Sequence, residues 1–261
     1  LGIKCHGKDV LPYTGEMLPN VIRKCILDKE NEYVSPTEGL VIPRPGTLCA
    51  GCPHRGFYYE LARTKDIIVS GDIGCYGGPG YAKPFSTVDF LLCMGASISM
   101  AHGCQKAQNT VEEGGKRVFS VIGDSTFFHT GINSLINVVY NKGNTITCIL
   151  DNRITAMTGH QENPGSGFTC QGDETVAIDI ETVVRAIGIK NITTVNPNNL
   201  SEVRSAIDKA LATNEASVII TRWPCALKKF TQEEIKEFNN PFKTKSKIIE
   251  DVHWEIRDDK E

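Results

Sequence analysis

The sequence has no apolar run of 18 or more residues, so nothing in it is long enough to span a bilayer as a helix. It has no excess of one charge either. The 28 basic and 31 acidic side chains leave a formal net charge of −3, which removes the electrostatic footprint expected of a nucleic-acid binder. It has no internal repeat. It also opens on Leu1 rather than methionine and shows no basic, apolar leader, so whatever precedes it is expected to have been removed or to belong to a larger polypeptide. At 261 residues the chain can bury a core without help from disulfides.

Cysteine, by contrast, is plentiful, with ten residues. Several lie inside apolar helix or strand patterns such as TITCILDN and SISMAHGCQ, and the chain is not the small, loop-rich kind that bridges stabilise. They read as reduced thiols of a cytoplasmic protein. Cys93, Cys104 and Cys148 read as packing residues, because free cysteine behaves as a small hydrophobe.

From about residue 65, short β-branched runs alternate with helical patterns: DIIVSGD, KRVFSVIGD, NTITCILDN, NITTVNP and ASVIITRW. Amphipathic stretches at His54–Thr64, Gly95–Gln108, His129–Asn141, Asp179–Ile187 and Leu200–Thr213 complete the alternation. The pattern predicts an α/β fold, a doubly wound parallel sheet with helices on both faces, whose ligands bind at the carboxyl ends of the strands. Residues 1–46 do not follow it. They hold one helix-like piece around Leu18 to Leu27 and the proline-rich VSPTEGLVIPRPG, and read as a connector from an upstream domain. The core domain is expected over 47–230. Beyond it, 15 charged residues among the last 31 predict a surface helix and a charged C-terminal tail over 231–261.

RVFSVIGDSTFFHTGINSL is a strand ending in Gly123-Asp124-Ser125 and leading into a helix, and the following strand ends in Asp151-Asn152. A strand–turn–helix junction turns backbone N–H groups toward an anion, and Gly123 lets the chain come close to it. A diphosphate fits there, with a hard cation such as Mg²⁺ to offset its charge. Taken singly, Asp124 reads as a helix N-cap and Asn152 as a turn residue. Together they resemble the Gly-Asp-Gly…Asn motif of thiamine-diphosphate enzymes, with Ser125 in place of the second glycine. The resemblance implies three Mg²⁺ ligands: Asp124, Asn152 and the backbone carbonyl of Ile154.

ITAMTGHQENPGSG sharpens this, because it resembles the MTGGQ-type segment of the 2-oxoacid:ferredoxin oxidoreductases, with His160 in place of a glycine. MGASISMAHG resembles that family as well, and GDSTFFHTGI and LDNRITAMTGHQENPG are most similar to its indolepyruvate branch. The resemblance runs from about residue 5 to about residue 228. It implies that Thr158 and Gly159 lie against the diphosphate, and that Gly74 and Cys75 belong to the cofactor site.

Cys49 and Cys52 in TLCAGCPHRGF, Cys75 in GDIGCYGG and Cys225 in ITRWPCAL form C-x₂-C-x₂₂-C with a distant fourth. On chemistry alone four thiolates suit Zn²⁺ as well as iron–sulfur. Residue type leaves that choice open. The resemblance implies a [4Fe–4S] cluster on these four, near the thiamine. His54 reads as the residue that begins and caps a helix, the alternative being that it faces the cofactor. Arg55 and Arg222 read as exposed, or as offsetting a negative cluster. His129 is expected to start the helix after the diphosphate turn.

The implied activity is oxidative decarboxylation of an aryl pyruvate of the indolepyruvate class to an acyl-coenzyme A, with ferredoxin as acceptor. The family's large subunit also carries a pyrimidine-binding half and a ferredoxin module with repeated C-x₂-C-x₂-C runs, and neither is found in this sequence. The chain is therefore expected to be a fragment or one piece of a split enzyme. Its expected partners are an upstream pyrimidine-binding domain or subunit, a small beta subunit, ferredoxin, and the 2-oxoacid and coenzyme A substrates. Three other readings stay open: a non-redox thiamine-dependent decarboxylase half, a zinc-stabilised non-catalytic partner, and an electron-carrier module that keeps the cluster but has lost thiamine, against which Asp124 and Asn152 argue.

Overall fold

All five strands expected from the β-branched runs form, and all pair in parallel. The computed structural model describes residues 2–29, 46–111 and 115–238. Most of the proline-rich connector and the tail beyond Phe238 lie outside the described residues. The chain divides into two units, Leu1–Arg44 and Pro45–Glu261. In the first, α1 (Pro19–Leu27) has proline in its opening turn, where the missing N–H costs nothing, and ends on Asp28 in the left-handed region. None of its residues is buried.

The second unit opens with α2 (His54–Ala62), then β1 (Ile67–Ser70), the short α3 (Gly77–Tyr81) and α4 (Ala96–Gln108). It continues through β2 (Arg117–Gly123) into a helical run made of α5 (Asp124–Thr126), a π-helical turn (Phe127–Gly131) and α6 (Ile132–Tyr140). It closes with β3 (Ile146–Asp151), α7 (Ile180–Ile187), β4 (Asn191–Val195), α8 (Leu200–Leu211), β5 (Ser217–Arg222) and α9 (Gln232–Phe238). The sheet order is β1-β2-β3-β5-β4. No helix among the described residues is long and apolar enough to cross a membrane.

Every residue of β3 is buried, as expected of a central strand covered on both faces. Its side chains alternate: Ile146, Cys148 and Leu150 join a core with Phe57, Leu61, Val203 and Ile207 of α2 and α8. Ile149 turns the other way, into a core with Ile98, Leu135 and Val184 of α4, α6 and α7. The helix ends are set locally. Asp179 accepts the Thr182 N–H at 2.7 Å to start α7, and Gly188 (φ +106°) ends it.

α2 and α8 are held by charge as well as by packing. The Arg204 guanidinium donates to the Glu60 carboxylate at 2.8 Å and to the Glu60 backbone carbonyl at 2.7 Å, and Glu60 is 7% exposed. Gly56 sets how closely α2 approaches the turn before α8, because a β-carbon there would stand 1.9 Å from the Pro197 carbonyl oxygen. Backbone must move to admit it. Gly56→Ala should therefore cost about 3 kcal/mol, read from urea unfolding, as overpacking against backbone does. A loss under about 1 kcal/mol would show that the two elements separate freely.

A helix, α9, opens the charged stretch that begins at 231. The Phe238 ring meets Trp223 edge-to-face at 5.1 Å, and Lys228 donates to Glu234 at 2.8 and 2.6 Å, both side chains being buried. These contacts tie α9 to the residues after β5. Cys148 is buried as expected, but Cys104 is half-buried and Cys93 is exposed. Cys93 sits in LLCM, an apolar stretch between β1 and α4 in which Leu92 and Met94 are exposed as well. An apolar run predicts burial only where an element forms to carry it inward.

Candidate functional site

The carboxyl ends of β1, β2, β3 and β5 gather on one rim, and the chemistry-bearing residues lie there. After β1, Asp72 is fully buried and accepts the Gly95 N–H at 2.9 Å and the Ser97 N–H at 3.2 Å, which ties the start of α4 to the end of β1. Tyr76 then folds back across the rim, where its hydroxyl takes the Gly123 N–H at 2.6 Å. A β-carbon at Gly123 would meet the Tyr76 ring at 3.2 Å, so glycine is what allows this close approach.

Between these ends lies a cleft lined by Gly74, Cys75, Gly123, Asp124, Ser125, Asn152, Ile154 and Thr158 among others. Asp124 is 4% exposed and has no ion-pair partner among the described residues. Its carboxylate accepts the Ser125 N–H at 2.8 Å and the Asn163 side-chain N–H at 3.2 Å. Burial, with Asp151 close by, pushes its pKa up to about 7. A carboxyl so placed lacks a counter-charge, and a divalent cation in the cleft would supply it. The Asn152 side-chain oxygen meanwhile takes the Ile154 N–H at 3.2 Å. Asp151, next to it, faces away into Arg222 at 2.8 Å and Arg153 at 3.5 Å.

A second cavity adjoins the first and is lined by Cys49, Cys52, Cys75 and Cys225 together. The sequence separates the Cys49–Cys52 pair from Cys75 and Cys225, and three local devices help bring the four to one place. The Cys52 N–H closes a turn on the Cys49 carbonyl at 3.2 Å. Arg55 bonds the carbonyls of Leu48 and Cys49, the latter at 2.8 Å. The Cys225 N–H bonds the Asn152 carbonyl at 3.0 Å, which pins the loop after β5 to the end of β3. Burial first, and then the nearness of Cys225, Cys49 and Cys75, pushes the Cys52 thiol up to about 11. Cys75 is raised by burial and by Cys225 and Cys49. The thiols share a wall without closing on a common point: among the described residues, no group of three or more His, Cys, Asp or Glu is arranged to hold a metal ion.

His54, Cys75, Asn152, Ala156 and Met157 line both cavities. His54 does not cap its helix, since Pro53 occupies the cap position. It is 3% exposed, packs edge-on to Tyr76 at 5.8 Å, and lies 3.4 Å from the Asn152 amide nitrogen. Burial lowers its pKa to about 4, so the ring is neutral at physiological pH. His54 is thus a buried wall residue of both cavities rather than the cap expected from its place at the helix start. His129 falls within the π turn, is exposed and does not line the cleft. Arg55 holds the cysteine loop by its carbonyls, and Arg222 is bound to Asp151 and Asp179. Gly159 (φ +119°) follows Thr158 in a turn closed by the Gln161 amide, which donates to the Thr158 carbonyl at 2.8 Å.

Asp72, Tyr76 and Asn163 were not singled out from the sequence. Asn163 stands in ENPGSG, where asparagine before proline signals only a turn, and nothing in the pattern of Tyr76 or Asp72 marks a residue that reaches across the rim.

The family model for the thiamine pyrophosphate enzyme, C-terminal TPP binding domain, matches residues 72–221. The chain belongs to the thiamine pyrophosphate enzymes. The matched span contains most of the cleft lining, from Ile73 through Gly123, Asp124 and Asn152 to Thr158, with His54 lying before it. Among curated relatives, the chain is 40% identical over 240 residues to the indolepyruvate oxidoreductase subunit IorA of Methanothermobacter marburgensis, covering 87% of this chain and 38% of that protein. It is 37% identical over 253 residues to the subunit of the same name from Pyrococcus abyssi, covering 89% and 39%. The chain thus spans under two-fifths of the length of these relatives. A solved 2-oxoglutarate:ferredoxin oxidoreductase from Magnetococcus marinus superposes with a TM-score of 0.62 at 17% identity, over 75% of this chain and 70% of that one, a likeness of fold. The doubly wound α/β architecture expected from the alternation of elements is the fold of this thiamine-binding family.

Proposed function

We propose that this chain is the thiamine-diphosphate- and iron–sulfur-binding part of a 2-oxoacid:ferredoxin oxidoreductase that decarboxylates an aryl pyruvate of the indolepyruvate class to an acyl-coenzyme A. The single observation that carries the redox part is the common wall: four thiols line a cavity that shares five residues with the cofactor cleft. Thiamine diphosphate would supply a carbanion sink for decarboxylation, Mg²⁺ would offset the charge of its diphosphate, and a [4Fe–4S] cluster would accept electrons singly.

The chain's own residues divide the work. Gly123, Ser125, Thr158 and Gly159 receive the diphosphate, and Asp124, Asn152 and the Ile154 carbonyl hold the cation. Asn163 fixes one oxygen of Asp124, and neutral His54 lies beside the Asn152 amide nitrogen, while the Asn152 side-chain oxygen, which accepts the Ile154 N–H, keeps a second lone pair for the cation. Cys49, Cys52, Cys75 and Cys225 hold the cluster, in thiolate form once iron binds. The indole-type substrate rests on the names of the curated relatives. The pyrimidine-binding half, the beta subunit and ferredoxin complete the enzyme, which works in the cytoplasm.

A second reading is a thiamine-dependent decarboxylase half without redox chemistry. It draws on the absence, among the described residues, of three donors arranged for a metal, and on the raised Cys52 thiol, which stays protonated at neutral pH. Anaerobic purification of the assembled enzyme separates the two. The redox reading expects about four irons per chain and broad absorbance near about 400 nm that bleaches with dithionite. Colourless protein with thiamine-dependent carbon dioxide release supports the second reading, and one zinc per chain removes the first.

A further inference from the structure

His160 occupies a backbone position that does not suit it. Its φ is +64°, in the left-handed region, where glycine or asparagine is at ease and other side chains are strained. A side chain kept at such a place invites the question of what it reaches. Here the imidazole lines the thiol cavity, and its Nε2 lies 3.9 Å from the Sγ of Cys225.

The segment that carries it is tightly built. The Thr155 N–H bonds the Gln161 carbonyl at 2.9 Å and the Gln161 N–H returns to the Thr155 carbonyl at 3.2 Å, so Ala156 to His160 form a closed loop. Within that loop Thr158 faces the cofactor cleft and His160 faces the thiols. No other side-chain hydrogen bond to the Sγ of the four thiols is found among the described residues.

We propose that His160 is a positioning residue for the redox site, donating its Nε2–H to the Cys225 sulfur and thereby setting the potential of the cluster that sulfur ligates. The proposal rests on the reading of the thiol cavity as a cluster site. Its direction follows from charge. Reduction adds one electron to the cluster and its thiolates, and an N–H aimed at a ligating sulfur stabilises the more negative state, so it raises the potential. Without that N–H the reduced state loses support and the potential falls. The same bond fixes the Cys225 rotamer, as partners of metal-ligating residues generally do.

The test uses the assembled oxidoreductase, purified anaerobically, and reads the cluster directly by redox titration followed with electron paramagnetic resonance. His160→Gly removes the donor and relieves the backbone. His160→Asn keeps a side-chain N–H and tolerates the left-handed position. The expected result is a midpoint potential shifted to more negative values in His160→Gly and shifted less in His160→Asn, with iron content and thiamine diphosphate binding as in the unaltered enzyme. An unchanged potential in His160→Gly with a full complement of iron overturns the proposal. Loss of iron in both variants while the unaltered enzyme keeps it overturns it too, because His160 would then hold the cluster in place. Unaltered enzyme without iron refutes the cluster reading itself, a failure distinguishable from the others because it appears before any substitution is made.

Discussion

Replacing Asp124 with alanine should abolish thiamine diphosphate binding in the assembled enzyme. Asp124 lines the cleft almost fully buried, and its charge has no partner among the described residues until a cation arrives. Removing it leaves cation and diphosphate without an anionic anchor. Truncating one partner of a buried, hydrogen-bonded charge pair costs about 2–5 kcal/mol, which is roughly thirtyfold to several thousandfold in affinity. Isothermal titration with Mg²⁺ and the cofactor measures it, and retention of binding within about threefold would remove Asp124 from the site.

The same residue predicts a pH effect in metal-free protein. Its folded pKa, raised to about 7 by burial and by Asp151, lies above the ordinary 3.8. The folded state therefore binds the proton more tightly than the unfolded one, and the contribution to stability present at low pH is lost as pH rises from about 4 to about 7. Melting temperatures of the metal-free chain should carry this decline, and Asp124→Asn, which cannot ionise, should lack it. Mg²⁺ with thiamine diphosphate should reverse the decline in the unaltered protein, since a ligand that binds only the folded state stabilises it.

Cys225→Ser should empty the cluster site while leaving the cofactor bound. A hydroxyl is a far weaker iron ligand than a thiolate, and loss of one of four ligands should bring iron content below the complement of about four. Thiamine diphosphate affinity should stay within about threefold, because Cys225 does not line the cleft and its backbone N–H still reaches the Asn152 carbonyl. Iron analysis and titration on the same sample decide it. Full iron in Cys225→Ser would exclude this residue as the fourth ligand, and loss of both cofactors would mean that the side chain supports the rim rather than a metal.

The parallel sheet was legible because it repeats one physical signal five times, a run of β-branched residues closed by a polar turn, even though only β2, β3 and β5 are buried along nearly their whole length and the edge strand β4 is half-exposed. Asp124 and Asn152 were legible because they end two such runs and so reach the same rim. Tyr76 and Asn163 were not, since each acts across a distance that no local period encodes, from Tyr76 to the Gly123 N–H and from Asn163 to the Asp124 carboxylate. His54 was read as a helix start, which it is; its inward direction is decided by α2 packing Phe57 and Leu61 into the sheet. The helical run begins at Asp124 rather than at His129, which falls inside the π turn at Phe127–Gly131 and is exposed.

Five residues belong to two chambers at once, and this limits how the protein can change. A substitution at Cys75 or Asn152 alters both compartments, so neither can be retuned alone, and pairs of changes across the partition should combine non-additively. Descendants that abandon one chemistry would be expected to rebuild this partition first, leaving the outer walls, which touch only one chamber, as the freer ground for variation.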